Sequence, residues 1–484
     1  MKQIGFLGIT LFILFSLNGC APQIENTLTS SLKNLGKSSN FKGEEKNRYD
    51  YDMLAKKYKE ENKTSDLLWD YEAGVINQYT KNYKKSNNYF DIAENMIKKY
   101  DKEIMASKAL ANIGSLLTND TFLDYRPKIY EKIMVNTLKG INFMALGDKK
   151  NARIEFNRAL VREQRAKMFF KKEIEKIRND IKNENKKELK KNKQQNSSLI
   201  LKSANHPKTR EAIEKQYTNL FAFKAYRDFV NPFSTYISAL YFYNVKDYRK
   251  AADLFKESYA MIKGIDSGDK IVKRDWLTAI RAKKSIRFRK RHYTWVIFLN
   301  GEGPIKKEIR IDVPLFLISK NVNYTGIALP TIELRKKAFE NLKISNKREL
   351  AFTKPITSMD RIIKAEFKKR FPTIVTRALL RTITQTVIQK QINDRADKIN
   401  STLGLLTKFT ASAYQAVMNR ADTRIWDRLP KEFQVARIKT RREISIFAEG
   451  KKIANIKTDP KKNYIIFIQI PKKEIKPIIS TISI

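Results

Sequence analysis

The period of the hydrophobic pattern changes near Arg291, and this change constrains the fold more than any other feature of the 484-residue chain. Before Arg291, apolar residues recur at the three- and four-residue spacing of amphipathic helices. After it, apolar and polar residues alternate, as they do in half-buried strands. Helices collected in one half and strands in the other indicate an α+β protein. The chain is long enough for two or three domains with their own cores.

Residues 47–290 are predicted to form tetratricopeptide-like (TPR-like) helical repeats, an α-solenoid. Such repeats need small residues where the two helices of a pair touch, and aromatic residues where one pair stacks on the next. Three segments have this spacing, and an ordinary helical bundle is the alternative explanation. The residues assigned to repeat packing are Gly74, Phe90, Ala93, Gly140, Ala152, Phe156, Ala159, Tyr248, Ala251 and Phe255.

A lysine-rich run interrupts the repeats and is interpreted as a charged insertion near residues 171–205. It begins as the continuation of a helix through Phe169 and Phe170, and it contains few large apolar residues up to Lys193. Runs of this kind are usually exposed helices or disordered insertions. An arm that binds polyanions is the alternative interpretation.

The strand-rich half is predicted to be a mixed antiparallel β domain. Its first part, residues 291–356, begins with a predicted β-hairpin. In this hairpin the strand His292–Leu299 turns at Asn300–Pro304 and returns through alternating residues from Glu308 to Leu315. Further strands are predicted at residues 323–330, 349–353, 433–438, 443–448, 452–456 and 464–470, the last four within the C-terminal strand region 426–484.

A helical-hairpin insert, residues 357–425, separates the two groups of strands. Its first helix has an apolar stripe with basic residues largely off that stripe, and Pro372 is expected to kink the helix. Its second helix, residues 399–418, carries few charges. The pair is expected to pack in the core of the domain, and binding to a membrane surface is the alternative.

Residues 1–19 have the pattern of a lipoprotein signal peptide. A lysine precedes the apolar run Ile4–Leu17, and the following Asn18-Gly19-Cys20 completes a sequence that resembles the lipobox of bacterial lipoproteins. Cys20 is the only cysteine, so it is predicted to carry the lipid and no disulfide can form. A plain N-terminal membrane anchor is the alternative. Residues 20–46 are predicted to be a flexible tether.

A lipid anchor implies a lipid bilayer as partner and the cell envelope as location. Ala21 stands where an aspartate often signals inner-membrane retention, so by resemblance to Gram-negative lipoproteins the outer membrane, facing the periplasm, is predicted. The chain has 97 Lys and Arg against 51 Asp and Glu, a net charge of +46. Export argues against nucleic acid and leaves anionic lipids and envelope polymers as partners for this charge. Compositional drift is the preferred explanation, because the lysines are spread over many segments.

Several motifs of the second half resemble an uncharacterised family of bacterial outer-membrane lipoproteins. The motifs are Ala421-Asp422-Thr423-Arg424-Ile425-Trp426-Asp427-Arg428-Leu429-Pro430, Phe433-Gln434-Val435-Ala436-Arg437, Asn300-Gly301-Glu302-Gly303-Pro304, Arg310-Ile311-Asp312-Val313-Pro314 and Asn231-Pro232-Phe233. Together they cover most of residues 231–440. The resemblance implies an exported TPR-like N-terminal half and a β-rich C-terminal half, and it implies no reaction.

Catalytic residue types are scarce. The two histidines, His206 and His292, lie in separate segments without the spacing of a metal motif, and phosphate-loop and dinucleotide fingerprints are missing. Glu302 is a possible acid, but a glutamate in a turn is expected to be solvated. No catalytic residue, metal or cofactor is therefore predicted, and the chain is interpreted as a non-enzyme.

The Asp422–Pro430 motif has two interpretations. In the first it is a structural corner, in which Trp426 fills the β core and Leu429-Pro430 ends a helix. In the second it is a partner-binding site, since Trp and Arg are frequent interface hot spots. The residues assigned to this motif are Asp422, Arg424, Trp426, Arg428 and Pro430.

Together these features predict a lipid-anchored envelope scaffold or adapter. Its TPR-like repeats would bind another envelope protein, and the C-terminal β domain would be the platform that orients them. The alternative is a binder of anionic cell-wall or lipopolysaccharide polymers, or an unrecognised envelope enzyme.

Overall fold

The computed structural model describes residues 48–61, 66–106, 121, 123–191, 207–226, 229–314, 324–396 and 419–483. Cys20, the tether, His206 and the second helix predicted for the insert lie outside these residues. The lipid anchor therefore stays a prediction from the sequence.

The protein is α+β, as the sequence predicts, with helices in its N-terminal part and sheets in its C-terminal part. The helices in the described part of the chain are α1 (Tyr51–Glu61), α2 (Leu67–Tyr79), α3 (Tyr83–Met105), α4 (Ile129–Ala145), α5 (Lys149–Lys191), α6 (Pro207–Phe221), α7 (Pro232–Asn244), α8 (Tyr248–Ile262), α9 (Asp269–Lys284), α10 (Ile286–Arg289) and α11 (Met359–Ala396). The strands are β1 (Tyr293–Asn300), β2 (Ile305–Pro314), β3 (Tyr324–Glu333), β4 (Leu342–Ser345), β5 (Leu350–Phe352), β6 (Lys354–Ser358), β7 (Glu432–Lys439), β8 (Glu443–Ala448), β9 (Lys451–Lys457), β10 (Tyr464–Ile470) and β11 (Ile478–Ser483).

Capping side chains set where α2, α7 and α8 begin. Asp66, Asn231 and Asp247 precede these helices, and each side-chain oxygen accepts a hydrogen bond from a backbone N–H of the first turn. These bonds satisfy donors that have no partner inside the helix. Pro232 occupies the first position of α7, where its missing N–H costs nothing.

The same turn closes three helical hairpins, α2–α3, α4–α5 and α7–α8. Just after the first helix of each pair comes a residue with a positive φ: Lys81 (61°), Gly147 (74°) and Lys246 (66°). The next residue in each case donates its backbone N–H to the carbonyl oxygen five positions earlier, at 2.8, 2.9 and 2.9 Å. These are the features of a Schellman turn. The three hairpins therefore share one closing geometry.

Glycine allows the two helices of the first two hairpins to approach closely. Gly74 faces the ring of Phe90, and Gly140 faces the ring of Phe156. A Cβ atom at Gly140 would lie 2.7 Å from the Phe156 ring, which is closer than non-bonded carbon atoms come. Of the other residues assigned to repeat packing, Tyr248 is half-buried and the rest are buried: Ala93, Ala152, Ala159, Ala251 and Phe255.

Replacing Gly140 by valine is expected to lower the free energy of unfolding by about 1–3 kcal/mol, because the added side chain must displace the Phe156 ring. Urea unfolding followed by circular dichroism measures the change. Lys167→Val is the control, since it places the same β-branched residue at an exposed position of α5. Valine is a better helix former than the glycine it replaces, so a loss in Gly140→Val no larger than in Lys167→Val would contradict the close helix contact.

The predicted hairpin between β1 and β2 is wrong. In the five-stranded sheet, whose order is β11-β10-β1-β7-β6, β1 pairs parallel with β10 and antiparallel with β7. β2 pairs instead with β3 in a separate two-stranded sheet. The reason is that β1 is buried at all eight positions and needs a strand on each side. The residues predicted to form the hairpin turn bond to other segments. The Gly301 N–H donates to the carbonyl of Ile470, and the Gly303 N–H donates to that of Leu429.

The five-stranded sheet lies between the helices and a second sheet of order β5-β4-β8-β9. On one face of β1, Trp295 and Ile297 belong to the core shared with the helices. On the other face, Val296 and Phe298 pack with residues of the second sheet, including Ile446. The alternation of side chains along β1 thus joins both cores.

Helix α11 is the first helix of the predicted insert. Its stripe residues Ile363, Phe367 and Phe371 are buried, and the Phe371 ring lies 4.2 Å from that of Tyr217 on α6. Pro372 lies inside the helix, which continues past it. The expected packing in the core therefore applies to this helix. In the described part of the chain, no helix combines the length and the apolar character that a membrane span needs.

Candidate functional site

Trp426 lies in a non-helical segment between α11 and β7 and is fully buried. Its ring stacks on Tyr71 of α2 with 4.4 Å between the ring centroids and 17° between the planes. Trp426 therefore fills the space between the sheet and α2. The expectation that Leu429-Pro430 ends a helix is wrong, because residues 419–431 contain no helix.

Arg428 connects this segment to α2 and to the residues before α1 through an ion pair and a hydrogen bond. Its Nε lies 2.8 Å from a carboxylate oxygen of Glu72, and its Nη1 donates to the carbonyl of Arg48 at 2.9 Å. The Tyr79 hydroxyl donates to the carbonyl of Arg428 at 3.0 Å. Burial, reinforced by the charge of Asp427, raises the pKa of Glu72 to about 8, although Arg428 opposes the rise.

Glu302 is buried, contrary to the expectation that it is solvated. Only 4% of its surface is exposed, and three donors converge on its carboxylate. Arg48 donates at 3.0 Å, the Tyr49 hydroxyl at 3.0 Å and Arg335 at 2.9 Å. Burial opposes ionisation of the neighbouring Asp427, but Arg48 and Arg335 outweigh it and lower the pKa of that carboxylate. The turn before β2 is thus part of an ion-pair network that ties the start of the described chain to the sheet.

Asp422 and Arg424 form a two-bond ion pair at the other end of the motif. Arg424 donates from Nε at 2.9 Å and from Nη2 at 3.1 Å to the two carboxylate oxygens, and from Nη1 to the carbonyl of Leu123 at 2.7 Å. Burial opposes ionisation of Asp422, but Arg424 and, to a smaller extent, Lys306 lower its pKa. With Pro430 also buried, the residues assigned to this motif are all used in contacts within the chain.

A cavity of about 150 Å³ opens beside Asp422, between α4, α5, β3 and α11. Its wall carries more cations than carboxylates. The cations are Arg126, Lys128, Lys306, Arg370, Arg377, Arg381 and Arg424, and the carboxylates are Asp124, Glu173, Glu366 and Asp422. Burial, with the charges of Arg370 and Lys306 nearby, lowers the pKa of Lys128 to about 8.

The start of the charged run lines this cavity, so the interpretation of that run as an exposed insertion is wrong for its first turns. Glu173, Ile174 and Ile177 are buried on α5. Glu173 accepts two hydrogen bonds from Arg370 of α11, at 2.9 and 2.8 Å. Burial opposes the charge of Glu173, but Arg370 outweighs it and lowers the pKa of this carboxylate to about 2. The sequence does not indicate this ion pair, because Arg370 lies almost 200 positions from Glu173.

A second concave surface, the α3–α5 groove, runs between these two helices and has a volume of about 490 Å³. Ile154, Val161 and Met168 recur every seven residues along α5 and are 37%, 42% and 44% exposed. The first two line the groove. Its charged residues are Lys98, Lys132, Arg158, Arg162, Arg165, Glu94 and Asp101.

Metal chemistry finds no ligand set in the part of the chain that the structure describes. No three His, Cys, Asp or Glu side chains of these residues are grouped so that they could hold an ion. His292 is half-buried immediately before β1.

Comparison of the chain with protein-family models, with curated proteins and with solved structures finds no match.

Proposed function

We propose that this protein is a lipid-anchored envelope scaffold that binds another envelope protein through its helical half. The observation that carries the proposal is the exposed apolar stripe of Ile154, Val161 and Met168 on α5, of which the first two line the α3–α5 groove. Exposed apolar side chains that recur on one face of a helix are typical of a surface that another protein covers. The anchor at Cys20 and a location at the outer membrane, facing the periplasm, are part of the same proposal.

TPR-like architecture for the helical half is supported by the three shared turns. Lys81, Gly147 and Lys246 lie 66 and 99 positions apart, close to two and three times the repeat length of about 34 residues. The glycine-to-phenylalanine contacts of the first two hairpins recur at the same interval. Equivalent residues at such intervals are typical of a solenoid built from one repeated unit.

The face of the hairpins that meets the sheet has no room for a partner. Tyr71 of α2 stacks on Trp426, and Phe233 of α7 stacks on Phe433 of β7 with 3.7 Å between the ring centroids. At the start of α4, the backbone N–H groups of Ile129 and Tyr130 donate to Glu366 of α11. The chain's own C-terminal half covers these helices, so we place the partner on the α3–α5 groove.

The chemistry of the groove points to an acidic amphipathic helix as the partner segment. An apolar stripe with a seven-residue period fits the apolar face of a second helix. The groove lining has five cations and two carboxylates, so acidic residues beside that face would complement it.

The test is co-purification of the lipidated chain from detergent-solubilised membranes. Val161→Asp places a negative charge in the stripe and is expected to abolish capture of a discrete envelope protein whose sequence contains an acidic amphipathic helix. Leu277→Asp is the matched control, because Leu277 on α9 is 38% exposed and lies outside the groove. Capture that survives Val161→Asp, or that Leu277→Asp removes equally, contradicts the proposal.

A further inference from the structure

The cavity beside Asp422 contains more positive charge than its own carboxylates balance. Glu173 and Glu366 both accept hydrogen bonds from Arg370, and Asp422 is paired with Arg424. These pairs use Glu173, Glu366 and Asp422, three of the four carboxylates of the wall. The fourth carboxylate, Asp124, is exposed at the rim. Buried charges are costly unless a counter-charge lies close by.

Three cations of the wall have no carboxylate at ion-pair distance among the described residues. Lys128 donates to the carbonyl oxygen of Arg126 at 2.9 Å, and Lys306 donates to the carbonyl oxygen of Arg424 at 3.1 Å. The Nη2 atom of Arg126 is buried and finds no acceptor in that part of the chain. Carbonyl oxygens carry only partial charge, so an anion bound in the cavity that these residues line would stabilise their charges.

Part of the cavity wall is apolar. It is formed by Ile174 and Ile177 of α5, Leu329 of β3, and Phe367 and Ile374 of α11. A few charged groups fixed against an apolar lining are typical of ligand sites, because the charges orient a ligand that the lining desolvates. The volume of about 150 Å³ accommodates a small molecule and not a polymer.

We propose that this cavity binds a small amphipathic anion, namely a carboxylate or phosphate group joined to a short hydrocarbon body. The oxyanion lies between Arg126, Lys128 and Lys306, and the hydrocarbon lies against the apolar wall. This inference goes beyond the scaffold function and uses none of the residues of the α3–α5 groove, so either can fail while the other stands.

Calorimetric titration of the full lipidated chain in nanodiscs tests the site, with empty nanodiscs as the blank. The probes are hexanoate, hexyl phosphate and inorganic phosphate. We expect one molecule of hexanoate or hexyl phosphate per chain, and binding of inorganic phosphate at least about tenfold weaker, because it has no hydrocarbon to bury. If inorganic phosphate binds as tightly as hexyl phosphate, or if none of the three binds, the proposal is overturned.

Two variants locate the site. Arg126→Gln and Lys306→Met are each expected to raise the dissociation constant of the tighter probe about tenfold or more. Lys307→Met is the matched control, since this neighbour on β2 points to the opposite, exposed face, and its dissociation constant should match that of the wild type. Melting curves without ligand verify that each variant folds. If Lys306→Met does not fold, the dissociation constant of Arg126→Gln tests the site. Unchanged affinity in a folded Arg126→Gln variant overturns the assignment.

Discussion

Replacing Trp426 by alanine is expected to lower the free energy of unfolding by about 3–5 kcal/mol, the usual range for a large aromatic residue removed from a core. The side chain is fully buried, stacks on Tyr71 and lies 6.2 Å from the ring of Phe90. These neighbours belong to α2 and α3, whereas Trp426 enters from the segment before β7. Because the backbone on both sides is fixed, the neighbours cannot close the gap, and a cavity remains. Urea unfolding followed by far-ultraviolet circular dichroism measures the loss.

Trp276→Ala is the control for that variant. Trp276 on α9 is only partly buried and stacks on Tyr259 at 6.0 Å. Its removal deletes the same atoms but leaves an indentation that water can fill, so the loss should be clearly smaller. If the two alanine variants lose equal stability, Trp426 does not join the helices to the sheet in the way its packing indicates.

Local patterns in the sequence predict the elements well and their pairing poorly. The strands at Glu443–Ala448 and Tyr464–Ile470 have the predicted limits, because hydrophobic period and turn residues act within a few positions. The partner of a strand depends on which other strands must also be buried. β1 is apolar on both faces, so it takes the centre of the sheet beside β10, which lies some 170 residues further along the chain. The turn-like sequence after β1 gives no information about this pairing.

Close packing between helices was visible in the sequence because it leaves a compositional trace. Gly74 and Gly140 stand where an aromatic ring needs space, and the phenylalanine that fills the space comes 16 positions later in both hairpins. The third hairpin has no such glycine, yet Ala251 and Phe255 are buried in it. Small-to-aromatic spacing therefore predicts which residues are buried, even where the contact differs in detail.

The candidate cavity could not be predicted from the sequence. Its cations come from the residues just before α4, from β2, from α11 and from the segment before β7, and most of these segments lie far apart in the chain. With 97 basic residues present, composition cannot distinguish Lys306 in the cavity wall from Lys307 on the exposed face. Only the fold separates the buried cations from the solvated ones.

Replacing Arg437 by leucine is expected to cost about 3–5 kcal/mol of unfolding free energy, because it leaves the carboxylate of Asp275 buried without its cation. Asp275 on α9 is 1% exposed and forms an ion pair with Arg437 of β7. The Tyr236 hydroxyl and the Trp295 indole N–H also donate to this carboxylate, at 2.7 and 3.2 Å. One carboxylate thus holds two helices and two strands together.

Two further variants separate the lost charge pair from lost packing. Lys439 lies two positions further along β7, and its side chain is largely exposed. Lys439→Leu should therefore change the unfolding free energy by less than about 0.5 kcal/mol. Adding Asp275→Asn to Arg437→Leu should restore part of the loss, because a neutral amide costs less to bury than an unpaired carboxylate. Urea unfolding of the four proteins completes the comparison. A double variant that is less stable than Arg437→Leu alone would mean that Asp275 acts through its two neutral donors and not through the ion pair.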